Sequence, residues 1–308
     1  MDNTALVTSA RNGDSRAIGR ILTQIEDRTD TGRALIRDLF AAGGRAWLTG
    51  VTGTPGAGKS TLVSSLMSHV IDTTDKAAIV AVDPSSPFTG GAILGDRIRM
   101  GAHAADDRVF IRSVANRGSL GGISQTTPAI VSGLDGLGFS EIIIETVGIG
   151  QSEVEITTTA DTAVVVVSPG WGDAIQVAKA GFLEIADIFV VNKADRGGAD
   201  VAVRDLQAML ELAPRPGWMP PVIETVATTG SGVGDLWNAI KDHRVYLSES
   251  GTDVTRRRTR AAAQLSAALR QSLGDTVDLS SGSTDLIARI ASRQIDPWTA
   301  ADGVLDSR

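Results

Sequence analysis

One stretch of the chain has the residue types and spacing of a phosphate-binding loop. It reads GTPGAGKS, fits the pattern G-x-x-x-x-G-K-[ST], and lies between an apolar run and apolar residues at helical spacing. Glycines there let backbone N–H groups close around phosphates, and the helix N-terminus adds its positive end. Lys59 is predicted to reach the β and γ phosphates, and the Ser60 hydroxyl to bind magnesium. The predicted contacts are Gly53, Thr54, Pro55, Gly56, Ala57, Gly58, Lys59, Ser60 and Thr61.

A second motif indicates the base of the nucleotide. Asn192, Lys193 and Asp195 form an N-K-x-D sequence directly after an apolar run, and this resembles the base-reading element of GTPases. There the Asp carboxylate accepts from N1–H and the exocyclic amine of guanine, a donor pair that adenine lacks. We therefore expect GTP rather than ATP.

The loop that completes a guanine site is degenerate in this chain. Val226, Ala227 and Thr228 stand where GTPases carry Ser-Ala-Lys. We expect the backbone N–H of Ala227 to reach the guanine oxygen, although the serine hydroxyl is lost.

An acidic motif points to magnesium. Glu145 opens the sequence ETVG after the apolar run 142–144, in the place that Asp-x-x-Gly holds in Ras-like proteins. A carboxylate there holds magnesium directly or through water, and the N–H of the glycine, here Gly148, can sense the γ phosphate.

The elements that must position these motifs are short apolar runs separated by segments long enough for a helix. The runs are 46–51, 77–82, 109–114, 141–144, 163–167, 188–191 and 222–226. Because they are apolar on both faces, they predict a doubly wound α/β domain with a mostly parallel sheet covered by helices. Ligands of such sheets lie beyond the carboxyl ends of the strands, where the motifs above stand.

Helical periodicity dominates both flanks of this region. Residues 3–41 predict two or three short helices, and 234–247, 255–273 and 284–293 predict one helix each. We divide the chain into an N-terminal helical extension (1–43), a nucleotide-binding domain (44–247) and a C-terminal helical dimerisation arm (248–308). The apolar faces after Thr255 motivate the dimer. The nearby arginines, Arg256, Arg257, Arg258 and Arg260, are interpreted as a solvated helix face or an intersubunit salt-bridge strip in preference to a site for an acidic partner.

Composition excludes several other classes of protein. A formal net charge of −7 argues against broad binding to nucleic acid or anionic lipid. The absence of cysteine excludes disulfides, Cys-based metal sites and thiol catalysis. His69, His103 and His243 have no metal-ligand spacing, and no G-x-S-x-G elbow is present. Without a secretory signal or a long apolar run, the chain is expected to be soluble and cytoplasmic.

Taken together, the motifs closely resemble the MeaB/ArgK family of P-loop GTPases. The resemblance rests on DPSSPFTGG (83–91), GDR (95–97), NRGSLGG (116–122) and ETVGIGQSE (145–153), besides the loops above. It covers the chain from about residue 13 to about 247. It implies a homodimeric GTPase of the SIMIBI class that uses GTP, GDP and Mg²⁺. It also implies a chaperone that gates adenosylcobalamin delivery to methylmalonyl-CoA mutase and protects that mutase.

The resemblance also assigns residues. It implies that Asp83, Asp96 and Glu145 surround the magnesium ion and its waters. Residues 172–176, with Lys179, resemble an additional switch that answers to the mutase, and a simple strand-to-helix turn is the alternative interpretation. Trp171 departs from the small residue that the family leads us to expect there.

The catalytic machinery is expected to be weak without a partner. The position of the Ras glutamine, two residues after Gly148, is taken by Gly150, with Gln151 next. Asp83 is the candidate for positioning the attacking water through a magnesium-bound neighbour, with a purely magnesium-binding role as the alternative. We therefore expect slow intrinsic turnover that rises when a partner orders the switches.

Two other functions compete with this interpretation. A nickel-insertion GTPase has the same fold but comes with Cys or His metal ligands that this chain lacks. A kinase acting on a small molecule or on a transport protein, as once described for ArgK-like sequences, is disfavoured by the N-K-x-D motif if it uses ATP.

Overall fold

The computed structural model describes residues 3–83, 106–115, 126–146, 154–170, 182–212, 217–273 and 284–306. Seven strands form one sheet, and each predicted apolar run is a strand. The strands are β1 (Trp47–Gly53), β2 (Ala77–Asp83), β3 (Val109–Ala115), β4 (Glu141–Glu145), β5 (Thr162–Val167), β6 (Ile188–Asn192) and β7 (Val222–Thr225).

The sheet is parallel throughout and doubly wound, which confirms the predicted fold class. Its strand order is β3-β2-β4-β1-β5-β6-β7, and every neighbouring pair is parallel. From β1 the chain crosses to β2 and β3 on one side and returns to place β4 between β2 and β1. It then adds β5, β6 and β7 on the other side of β1. The point of reversal lies at the carboxyl end of β1, where ligands of open α/β sheets bind.

Helices cover both faces of this sheet. They are α1 (Asn3–Arg11), α2 (Ser15–Glu26), α3 (Asp30–Ala42), α4 (Lys59–Ile71), α5 (Thr127–Gly136), α6 (Val154–Thr159), α7 (Ala199–Leu212), α8 (Val233–Ser250), α9 (Thr252–Leu273), α10 (Thr284–Ala291) and α11 (Pro297–Asp306). Among the described residues, we find no helix with the length and apolarity that a membrane crossing needs.

The N-terminal region forms three helices with clear start signals. The Asp14 carboxylate accepts hydrogen bonds from the backbone of Arg16 and Ala17 at 2.9 and 3.2 Å and caps α2. The Thr29 hydroxyl accepts from the N–H of Gly32 at 2.9 Å and caps α3. Each cap satisfies donors that the first turn of a helix leaves open.

Successive residues of the strands point to opposite faces and enter separate cores. Ile79 packs with α4 and α8 on one face, whereas Val80 packs on the other with α2, α3, α5, α9 and α11. A further cluster around Phe189 lies under α7. Both chain ends therefore share one hydrophobic core with the sheet. The predicted division at residue 43 stays a prediction, and the division at 247 falls within the last turn of α8.

The dimer was expected because the helices after Thr255 have apolar faces, and this packing removes that argument. The apolar face of α9 is covered by the chain itself, because Leu265 and Leu269 are fully buried against the other helices of the same core. The homodimer thus stays a prediction without that support. Truncation after Leu247 is expected to destabilise the fold rather than release a stable monomer.

The structure also changes the interpretation of the arginine cluster at the start of α9. Arg256 forms an ion pair with Asp187 at 2.6 Å, and Arg260 pairs with Asp161. Both aspartates stand at the amino-terminal ends of strands, before β6 and β5. These two arginines therefore fasten α9 to the sheet of the same chain, while Arg257 and Arg258 are exposed.

Candidate nucleotide-binding site

The loop after β1 has a backbone that requires its glycines. Gly53 and Gly58 have φ angles of 129° and 91°, in the region that favours glycine. A Cβ on Gly53 would lie 2.0 Å from the Val166 oxygen, and one on Gly58 would lie 2.6 Å from Asn192 Nδ2. The loop thus packs against β5 and β6 and leaves its backbone close to any bound phosphate.

Lys59 is the first residue of α4 and is almost completely buried. Its Nζ donates to the carbonyl oxygens of Gly53 and Thr54 at 3.0 and 3.1 Å. Gly58 at the N-cap brings no side chain to the end of the helix. An ammonium group and the N-terminus of a helix therefore meet inside one loop, an arrangement suited to phosphate.

The predicted magnesium ligands converge at the neighbouring strand end. The Ser60 hydroxyl donates to Glu145 Oε1 at 2.6 Å, and Glu145 is 4% exposed. Asp83, 3% exposed, ends β2 two residues beyond Ala81, which pairs with Glu145 in the sheet. Oxygen ligands of this kind fit Mg²⁺, which prefers carboxylates, hydroxyls and phosphates. Asp96, the remaining predicted ligand, lies outside the described residues.

Asn192 joins the two predicted nucleotide loops. It ends β6 and is 2% exposed. Its Nδ2 donates to the Ala57 carbonyl at 2.8 Å, and its Oδ1 accepts from the Thr225 hydroxyl and from the backbone N–H of Ala227, both at 3.1 Å. The side chain therefore fixes the phosphate loop relative to the loop after β7.

The rest of the N-K-x-D motif lies at the surface. Lys193 has a φ of 61°, and its Nζ donates to the Gly56 carbonyl at 2.5 Å, so it crosses the phosphate loop. Asp195 is exposed and makes no hydrogen bond or ion pair within the described part of the chain. Its carboxylate is thus open to a ligand.

The loop after β7 requires a change in the predicted guanine contact. Because the N–H of Ala227 donates to Asn192, it is already used in this structure, whereas we expected it to reach the guanine oxygen. Val226 forms a bridge with Ser231, and Thr228 is exposed at the tip of the turn. The guanine contact of this loop stays a prediction, and its expected donor is engaged within the protein.

Sequence reasoning missed the polar contacts behind the site. The Thr146 hydroxyl donates to that of Thr52 at 2.9 Å, and both residues are buried. This bond joins β1 to the end of β4 directly beside the Ser60–Glu145 contact. Thr146 belongs to the ETVG motif, and a polar residue directly after a buried strand was the signal that could have indicated this contact.

Several predicted residues lie outside the described ranges: Gly148, Gly150, Gln151, Trp171 and the segment 172–179.

A parallel sheet with a Lys-containing phosphate loop at the switch point and an N-K-x-D element beside it defines a P-loop GTPase. Comparison with known proteins gives the family. The profile of the "Methylmalonyl Co-A mutase-associated GTPase MeaB" matches residues 16–281, so the chain belongs to the MeaB family. This confirms the resemblance and the GTPase class that the motifs predicted.

Individual relatives agree with this assignment. A protein of Pyrococcus horikoshii named as a GTPase is 46% identical over 306 residues, which are 98% of this chain and 96% of that protein. GTPase ArgK of Escherichia coli is 37% identical and covers 78% of this chain and 76% of its own. The mitochondrial methylmalonic aciduria type A homologue of Mus musculus is 36% identical over 68% of this chain and 52% of its own.

A solved structure supports the fold over almost the whole chain. The crystal structure described as an LAO/AO transport system kinase superposes with a TM-score of 0.73 at 25% identity. It covers 98% of this chain and 96% of its own. The terminal helices are therefore included in the similarity, together with the nucleotide-binding region.

Proposed function

We propose that this GTPase gates the delivery of adenosylcobalamin to a methylmalonyl-CoA mutase and protects that enzyme. The proposal is supported by the description of the matching family, which names an association with the mutase, and by the name of the mouse relative. The phosphate loop with its buried lysine, next to the N-K-x-D element, supports the nucleotide dependence that such gating requires. Cytoplasmic localisation and a homodimer remain parts of this proposal.

Within the site, each residue has a defined task. Lys59 leaves the carbonyls of its own loop and contacts the β and γ phosphates of GTP. Ser60 and Glu145, together with Asp83 and Asp96, would hold magnesium, and the bound ion would neutralise charge on the phosphates. Asp83 also orients the attacking water.

Base recognition is divided between two side chains. Asp195 accepts from the paired donors of guanine, and Lys193 packs along the loop next to the base. The remaining predicted contacts, among them Thr61 and Thr228, complete the proposed nucleotide site.

The structural observation that supports the nucleotide-binding part of the proposal is the bridge made by Asn192. Its hydrogen bond to Ala57 at 2.8 Å ties the element that reads the base to the loop that holds the phosphates. A chance N-K-x-D turn on the surface would need no such bond. This bond supports the proposal that the two motifs act as one nucleotide site.

Co-purification tests the partner. The tagged chain is incubated with purified methylmalonyl-CoA mutase in the presence of GDP or of a non-hydrolysable GTP analogue, with Asp195→Ala as the matched control. We expect recovery of the mutase to depend on the nucleotide in the unmutated chain and to lose that dependence in the variant. Failure to recover the mutase in any nucleotide state would contradict the proposal.

Phosphotransfer to another protein is a second candidate, favoured by the description of the superposed structure as a transport system kinase. The same phosphate loop can hold a γ phosphate for transfer to a hydroxyl as well as to water. GTP labelled on the γ phosphate separates the two: hydrolysis releases inorganic phosphate only, whereas a kinase labels an acceptor.

A further inference from the structure

A cavity of about 560 Å³ lies at the edge of the sheet opposite the phosphate loop. Trp47, the first residue of β1, lines it, whereas the phosphate loop follows Gly53 at the other end of the same strand. Six residue steps along a strand separate these two ends by about 20 Å. The cavity is therefore separate from the nucleotide site, and its volume lies in the range of small-molecule sites.

The lining of this cavity is basic although the chain as a whole carries a net charge of −7. Five guanidinium groups face three carboxylates, and the walls between them include apolar side chains of α3, α5 and α10. The charged lining residues are Arg45, Arg244, Arg257, Arg260, Arg293, Asp135, Asp161 and Asp253.

The two buried carboxylates of the lining are already used to hold the protein together. Asp135 accepts from the backbone of Arg45 and Ala46 at 3.1 and 3.0 Å and pairs with Arg293 at 2.8 Å. Asp161 accepts from the Leu48 N–H at 2.9 Å and pairs with Arg260. These acids therefore neutralise two of the five arginines and have little capacity for the others.

Two arginines of the lining have a donor without an acceptor in the described part of the protein. The Nε atoms of Arg244 and Arg260 are buried and have no hydrogen-bond partner in the described structure. Arg244 is otherwise paired with Glu141 at 2.5 Å, just outside the lining. Both side chains keep their positive charge at the wall of the cavity, although these Nε atoms are themselves buried.

Two further arginines stand at the mouth of the cavity. Arg45 is exposed, and its side chain forms no ion pair with any described residue. Arg257 has only a contact of 4.0 Å with Asp253, and its side chain is 55% exposed. Guanidinium groups bind phosphate oxygens in a bidentate geometry, so this pair adds charge where an anion would enter.

We propose that this cavity is a second ligand site, which binds a small organic phosphate with at least two negative charges. Arg45 and Arg257 contact the phosphate from the mouth, and Arg244 and Arg260, which also line the cavity, add positive charge to its wall. Partly exposed apolar residues of the lining, such as Ala46 and Ala291, contact the carbon part of the ligand.

Calorimetric titration with inorganic pyrophosphate tests the site. The protein is first saturated with GDP and excess magnesium, so that the phosphate loop is occupied and cannot take the probe. The test variant is Arg45→Ala with Arg257→Ala. The matched control is Arg258→Ala, which removes an exposed arginine of the same helix that does not line the cavity.

We expect saturable binding with one site per chain in the unmutated protein and in the control. The double variant should bind at least about tenfold more weakly, as expected for losing charged hydrogen bonds, while its affinity for GDP stays unchanged. Absence of saturable binding to the GDP-loaded protein, or equal affinity in the double variant, would overturn the proposal. Neither of these results depends on the mutase, so failure of this proposal would leave the proposed function unaffected.

Discussion

Replacing Asn192 by alanine should separate the structural part of the guanine site from the part that contacts the ligand. The change removes three hydrogen bonds, to Ala57, Thr225 and Ala227, from a side chain that is 2% exposed. Each bond contributes about 0.5–1.5 kcal/mol net, and the groups left behind are buried. We therefore expect the free energy of unfolding of the nucleotide-free protein to fall by about 2–4 kcal/mol.

The assay is urea denaturation, with GTP affinity measured on the same preparations. Asp195→Ala is the matched control, because this neighbouring side chain is exposed and forms no hydrogen bond or ion pair among the described residues. It should leave stability within about 0.5 kcal/mol but weaken GTP binding by about 2–4 kcal/mol. If Asn192→Ala is as stable as the unmutated chain, or if Asp195→Ala binds GTP normally, the division of roles is wrong.

Three further outcomes are expected. Lys59→Ala should abolish GTP turnover, while Glu145→Ala should shift the magnesium dependence of turnover to much higher concentration; hydrolysis by both variants at normal magnesium would refute these roles. Burial lowers the pKa of His243 from 6.5 to about 4, because the folded protein favours the neutral ring. The stabilisation that the neutral ring gives the fold is therefore fully present above pH 6.5. The free energy of unfolding should fall by about 3 kcal/mol as the pH falls from 6.5 toward 4. If denaturation at a series of pH values shows the same loss in His243→Gln, His243 is not its cause. Light scattering should give about twice 32.0 kDa for the intact chain, and a monomer at micromolar concentration would exclude the dimer.

The sequence carried enough information to predict the sheet and the position of the site. Runs such as 77–82 are apolar on both faces, which only a covered parallel sheet accommodates, and the strand they predict is observed at Ala77–Asp83. Because ligands bind at the carboxyl ends of such strands, Lys59, Glu145 and Asn192 were expected at one edge, and the structure places them there.

What sequence reasoning missed depends on contacts between distant residues. The pairing of Arg256 with Asp187 spans 69 positions, and no local pattern indicates it. The apolar stripe of α9 was evident, but a stripe does not show whether the same chain or a second copy covers it. Helix α11 had a local signal that we did not use, since Asp296 accepts from the N–H groups of Trp298 and Thr299 and proline follows it directly.

The most direct test of the account is the rate of GTP hydrolysis with and without a purified methylmalonyl-CoA mutase. Alone, the chain should turn over well below the ~10 s⁻¹ median for enzymes, because no Ras-type glutamine follows the ETVG motif. Addition of the mutase should raise this rate, and ATP should not replace GTP in either condition. A fast intrinsic rate, equal use of ATP, or a rate unchanged by the mutase would contradict the central claim.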